Sequence, residues 1–279
     1  MLQRDSLGYT FGAAAVLCVV CSLAVSAAAV ALRPAQDENK LLDRQRNILD
    51  AAGLALGEMG YTAGALSKEE VAELYQRVEE RLVNLETGEY VTDLNPEEYD
   101  PRVAAKNEAT SRTPGDPKYN IGVKRVEKIA KVYLVRDPKT KQISQVVLPV
   151  FGNGLWSTLY GYLALRKDLE TIQGLTFYQH AETPGLGGEV DNPAWKAQWV
   201  GLKLYDEEGL PAAAVAKGPA PPDSEHFVDG LSGATITARG VTNLIGYWAG
   251  PDGYGKYLEK LRDELNSQTK GGSDGGSKG

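Results

Sequence analysis

Three glycine-rich segments hold the side chains with the types and spacing for chemistry. Asp229-Gly-Leu-Ser-Gly-Ala-Thr-Ile-Thr stands just ahead of an amphipathic helical pattern beginning near Ile236. Its small residues let a ligand approach the backbone, and the hydroxyls of Ser232, Thr235 and Thr237 surround a helix start. A helix start offers unpaired N–H groups and partial positive charge to a phosphate. An ordinary Ser or Thr N-cap is the competing reading of the same residues. His180-Ala-Glu-Thr-Pro-Gly-Leu-Gly-Gly-Glu follows a strand-like run, and its glycines allow bare N–H and C=O groups to face a flat ligand. It lacks the G-x-G-x-x-G spacing of a dinucleotide fold, and by itself it is a turn. In the third segment, Gly152-Asn-Gly-Leu-Trp-Ser-Thr, the Trp156 ring suits a core position as well as a ligand wall.

The elements that must position these segments are α+β in class. Runs at 131–135, 145–150, 160–165, 174–178, 202–205 and 212–216 are short, rich in β-formers and bounded by Gly, Pro and Asp, which predicts an antiparallel sheet. Asn192-Pro193 starts a helix among the strands, and two helices follow the last strand, carrying Val241, Leu244, Ile245, Trp248 and then Tyr257, Leu258, Leu261, Leu265. Upstream, Ser67 and Glu70 form a capping-box pattern ahead of Val71, Leu74, Tyr75, Val78 and Leu82 on one helical face. Apolar residues at Leu41, Leu42, Ile48, Leu49 and Ala52 predict an amphipathic helix beginning after Pro34. Ser6 to Leu32 contains no Asp, Glu, Lys or Arg, enough to cross a bilayer, for which about 20 apolar residues suffice. Its length and nearly uncharged leading segment favour a retained anchor over a cleaved signal peptide. The expected organisation is an anchor at 1–33, a helical and irregular membrane-proximal region at 34–120, a ligand-binding domain at 121–266 and a disordered tail at 267–279.

Composition removes several function classes. The 279 residues are 42% hydrophobic, 24% charged and 8% aromatic, which suits a folded chain. A net charge of −7, with no basic cluster interleaved with aromatics, argues against nucleic acid as a partner. Cys18 and Cys21, the only cysteines, lie inside the apolar run, and His180 and His226 are the only histidines. A disulfide framework and a Cys- or His-rich metal site are therefore not expected in the folded part, and an organic cofactor is the better source of any redox chemistry.

Asp229-Gly-Leu-Ser-Gly-Ala-Thr resembles the flavinylation motif of the FMN-binding domain family, and the Gly152–Ser157 and Glu182–Gly187 segments resemble that family's other two signatures, in the same order. With the Arg4-Asp-Ser-Leu-Gly-Tyr-Thr start, the span ending Val30-Ala-Leu-Arg-Pro and Glu38 to Leu49, nearly the whole chain is similar to the C-subunit family of Na+-translocating NADH:quinone oxidoreductases. The resemblance implies FMN held covalently through a phosphoester on Thr235, installed by a separate flavin transferase that uses FAD and Mg2+. Ser232, Gly233 and Ala234 then form the close approach to the phosphate. Glu182, Thr183, Leu186 and Gly187 become candidates for the ring's polar edge, with Trp156 and Ser157 as a second wall. It further implies an electron relay from an iron–sulfur centre toward a second FMN and quinone, within a membrane complex of six subunits in the bacterial inner membrane. NADH and quinone are not expected to bind this subunit, and no Na+ site is expected in its span, which lacks Asp and Glu.

The family places the flavin domain in the periplasm. Arg33, Lys40, Arg44 and Arg46 after the span point the other way by the positive-inside rule. Alternative readings are the G subunit of an Rnf-type electron-transport complex, which shares the anchor and the motif, a flavin-free membrane-anchored assembly protein, and a free-standing flavin enzyme using Glu182.

Overall fold

The computed structural model describes residues 7–60, 62–115 and 118–271, and the chain divides into two compact units, Met1–Gln45 and Arg46–Gly279. Helix α1 (Leu7–Ala51) covers the described residues of the first unit, and its residues from Arg46 on are counted with the second. Its most apolar stretch has a mean hydropathy of 2.6, and none of that stretch is buried. Where the sequence predicts a second helix starting after Pro34, α1 instead runs through that residue without a break. A proline removes one backbone hydrogen bond, and the helix-forming Ala, Leu, Glu and Lys residues around Pro34 sustain the helix.

In the second unit, α2 (Leu54–Met59) and α3 (Lys68–Tyr75) come first. The capping box closes as its sequence implies: Ser67 Oγ accepts the Glu70 N–H at 3.2 Å, and Glu70 Oε2 accepts the Ser67 N–H at 2.8 Å. The helix stops at Tyr75, however, and the predicted continuation through Val78 and Leu82 is strand β1 (Val78–Asn84). Tertiary pairing overrides the local pattern here, because β1 aligns antiparallel with β5 (Ile129–Arg136) from Val78 opposite Val135 to Asn84 opposite Ile129. Lys131, almost wholly buried, pairs with Glu80 at 3.1 Å across this seam. The sheet thus draws on residues upstream of 121, inside the region expected to be only helical and irregular.

Short pieces intervene between these strands: β2 (Tyr90–Val91), α4 (Pro101–Ala104), β3 (Ser111–Arg112) and β4 (Val126–Glu127). After β5 come β6 (Ile143–Asn153), β7 (Thr158–Arg166) and β8 (Ile172–Gln179), and the main sheet has the order β2-β1-β5-β6-β7-β8, antiparallel throughout. The runs at 202–205 and 212–216 do not join it. The first makes isolated bridges, because the Lys203 and Leu204 N–H groups go to the carbonyls of Glu225 and Glu170. The second yields only β9 (Ala214–Val215), parallel to β10 (Phe227–Val228).

Helix α5 (Pro193–Ala197) starts at Asn192, whose Oδ1 accepts the Ala194 N–H. Alternate residues Val132, Leu134, Val146, Leu148, Val150, Leu163 and Leu165 present one sheet face to the core, where Val241, Leu244, Ile245 and Trp248 of α6 (Thr235–Ala249) complete it. Two hydrogen bonds fasten this layer to β6: Trp248 Nε1 donates to Phe151 O and Tyr254 Oη to Pro149 O, both at 2.8 Å. The last helix, α7 (Gly255–Gly271), extends five residues into the segment expected to be disordered; the rest of that expectation lies outside the described residues.

Candidate functional site

The three glycine-rich segments meet at one carboxylate. Glu182, 5% exposed, accepts the backbone N–H groups of Trp156 at 3.0 Å and of Leu155 and Ser157 at 3.2 Å. Its other main contact is the buried hydroxyl of Thr237, which donates to Oε2 at 2.5 Å. Loop, loop and helix start are therefore locked together by a single side chain. Burial acts to raise the Glu182 carboxyl, but the Thr237 hydroxyl and the three amides outweigh it and hold the group below the usual glutamate range. Both carboxylate oxygens are occupied by the chain itself, so Glu182 ties the three segments together.

Close approach explains the glycines that matter. A Cβ on Gly187 would lie 2.6 Å from Thr237 Oγ1, and one on Gly154 would lie 2.6 Å from Glu182 Oε1. Gly233 takes φ 69°, and a Cβ there would meet Leu186 Cδ2 at 2.9 Å, bringing the helix-start loop against the Glu182 loop. Thr183 contributes its carbonyl, which accepts the N–H groups of Leu186 and Gly188, while Ser157 Oγ accepts the Ala181 N–H at 2.7 Å.

Thr235 is the first residue of α6, and its exposed hydroxyl has no hydrogen-bond partner among the described residues. The N-cap is Ala234, which caps with no side chain. An N-cap role for Thr235 therefore does not hold, and the first-turn amides, which lack intrahelical partners, keep their donors for something else. Ser232 is exposed beside them. Around this start the loops and the first turn of α6 carry apolar side chains that a water-soluble surface would normally cover: Trp156 is 69% exposed, Ile236 51%, Leu155 46% and Leu186 43%. Trp156 is thus not a core residue.

Asp229 has a different task. Its carboxylate accepts from Ala220 N at 2.7 Å and Gln198 Nε2 at 3.1 Å, its carbonyl accepts from Trp195 Nε1 at 2.8 Å, and its own N–H goes to Gln198 Oε1. It orders the approach to the helix start. Leu155, Ile236 and the tie between Glu182 and Thr237 were missing from the sequence-based candidates. No sequence signal marks the tie, since its partners are 55 residues apart.

The start of α6 is uncapped, with an exposed threonine beside closely packed glycines and exposed apolar side chains, and residues 154–250 match the family model of the FMN-binding domain. Over nearly its full length the chain is 47% identical to the C subunit of the Na(+)-translocating NADH-quinone reductase of Pseudomonas aeruginosa, covering 94% of this chain and 98% of that one. It is 42% identical to the C subunit of the Yersinia pestis reductase, covering 94% and 95%. The crystal structure of Shewanella oneidensis NqrC superimposes with a TM-score of 0.72 at 35% identity, covering 82% of this chain and 99% of that one. The chain belongs to the C-subunit family of Na+-translocating NADH-quinone reductases, and the Rnf-type alternative is not favoured.

Proposed function

We propose that this chain is the flavin-carrying electron-relay subunit of a Na+-translocating NADH:quinone oxidoreductase, with FMN joined through a phosphoester to Thr235. The observation that carries the reading is the unpartnered Thr235 hydroxyl at the first position of a 15-residue helix without a side-chain cap. A separate flavin transferase, using FAD and Mg2+, attaches the group, and this chain is the acceptor. The phosphodiester keeps one negative charge, which the α6 amides and the helix dipole stabilise by about 0.3–1 kcal/mol.

Ser232, Gly233 and Ala234 leave room for the phosphate, and the 183–187 backbone offers hydrogen bonds to the ring's polar edge. Trp156, Leu155 and Leu186 shield the ring from water, which tunes a bound flavin's potential. When bound, FMN supplies a reversible redox couple that relays electrons from an iron–sulfur centre of the membrane partners toward a second FMN and quinone. The chain has no NADH or quinone site of its own in this reading. Helix α1 anchors it in the bacterial inner membrane among lipid and the five other members of the complex, with the flavin domain in the periplasm. That orientation prevails over the basic residues after the span because long domains translocate largely regardless of charge.

Intact mass of the chain co-expressed with a flavin transferase tests the reading. An added FMN-phosphoryl mass with in-gel flavin fluorescence supports it; an unmodified, non-fluorescent chain returns the site to a flavin-free assembly role.

A further inference from the structure

His180 stands where β8 ends and the Glu182 loop begins, and its imidazole is engaged at both nitrogens. Nδ1 accepts the Glu182 backbone N–H at 3.2 Å, and Nε2 lies 2.7 Å from Asp191 Oδ2. Asp191 closes the 3₁₀ turn Gly187–Asp191 that ends the loop, so one ring joins the loop's two ends. A backbone amide only donates, which makes Nδ1 the bare nitrogen and puts the neutral ring's proton on Nε2, donated to Asp191. A second proton can enter only at Nδ1, where it faces the Glu182 N–H, and two opposed donors cannot bond.

The charged groups bonded to the ring or next to it along the chain are the carboxylates of Asp191 on the 3₁₀ turn and Glu182 on the loop. The Arg102 guanidinium of α4 donates to Gln179 Oε1 at 2.8 Å, one residue away. Imidazole as a side-chain type changes charge between about pH 5 and 8.

We infer that His180 is a positioning residue of the flavin cradle, holding the Glu182 end only in its neutral, Nε2-protonated form, so that proton uptake by this ring loosens the cradle. The inference rests on the reading of the cradle as the FMN site. His226 provides an internal contrast: its Nδ1 lies 2.9 Å from Lys203 O, and a carbonyl only accepts, so there Nδ1 carries the proton. The two histidines are opposite tautomers.

The test is 15N NMR of the full-length chain in detergent, free of flavin, with His226→Gln for assignment. The expected result at pH 8 is an Nε2–H ring for His180 and an Nδ1–H ring for His226, with the Glu182 amide resonance following the His180 titration. His180→Asn, which keeps an acceptor oxygen, should abolish that response. An Nδ1–H tautomer for His180 or an unresponsive Glu182 amide overturns the inference. In flavin-loaded chain the same inflection should appear in the flavin absorbance and vanish in His180→Asn. A chain that shows the amide inflection but never acquires flavin retains the histidine device and refutes the FMN reading; a loaded chain with no His180-dependent inflection does the reverse.

Discussion

Helices α3 and α6 begin in opposite ways within one compact unit. At α3 the first-turn amides are satisfied by Ser67, with Glu70 reaching back to close the box. Asp100 and Asn192 cap α4 and α5 in the same spirit. At α6 three hydroxyl residues are at hand, yet the N-cap is Ala234, Thr237 has turned inward to Glu182, and Thr235 is left outside. A helix start that serves the fold spends its polar side chains on itself. The start of α6 withholds them, and its order comes from the carboxylate beneath it.

The largest effect expected from breaking this contrast is at Thr235. Thr235→Ala should lose all covalent flavin, measured by in-gel fluorescence, while thermal unfolding of the flavin-free chains stays unchanged, because the hydroxyl supports nothing in the fold. Glu182→Ala comes next. It strips three backbone donors and the Thr237 hydroxyl of their acceptor, and urea unfolding should show a loss of about 3 kcal/mol together with reduced flavin attachment. Since the Glu182 carboxyl is held below its ordinary range, its stabilising contribution is present above the unfolded glutamate pKa and disappears as pH falls through the folded value. The wild type should therefore lose stability in acid more steeply than Glu182→Gln.

Glu127 sharpens the comparison from the other side, as a buried carboxylate without such a set of donors. Burial pushes its carboxyl up to about 7, its Oε2 has no hydrogen-bond partner among the described residues, and Arg112 only partly offsets the burial. For a raised carboxyl the sign reverses: stability is greatest below the unfolded pKa and falls as pH rises through about 7. Glu127→Gln should be more stable than wild type at pH 8 by on the order of 2 kcal/mol, and equal to it near pH 4.5. The smallest effect belongs to the conventional cap. Ser67→Ala should cost about 1 kcal/mol by urea unfolding and leave flavin attachment untouched.

Legibility in the sequence followed the range of the interactions. The strands from 131 to 178 and the caps at Ser67 and Asn192 depend on neighbours in sequence, and their residues announce them. Strand β1 did not announce itself, because Val78 and Leu82 continue a helical pattern and become strand only by pairing with β5. Two short runs that look like strands on composition fell outside the sheet because their amides bond elsewhere. At the site, Thr235 was visible as a helix-start hydroxyl, and the family resemblance raised it above a cap. Glu182 was a candidate for a ligand's polar edge, whereas its oxygens face the chain itself, and nothing local shows that a loop carboxylate will be used up by residues 25 to 55 positions away.

The most direct measurement is fragment-ion mass spectrometry of the tryptic peptide spanning 218–239 from chain co-expressed with a flavin transferase. This peptide carries Ser224, Ser232, Thr235 and Thr237 together, so it lets the hydroxyls compete. The FMN-phosphoryl mass is expected on Thr235 alone. Flavin on Ser232 or on Thr237, or an unmodified peptide, would contradict it.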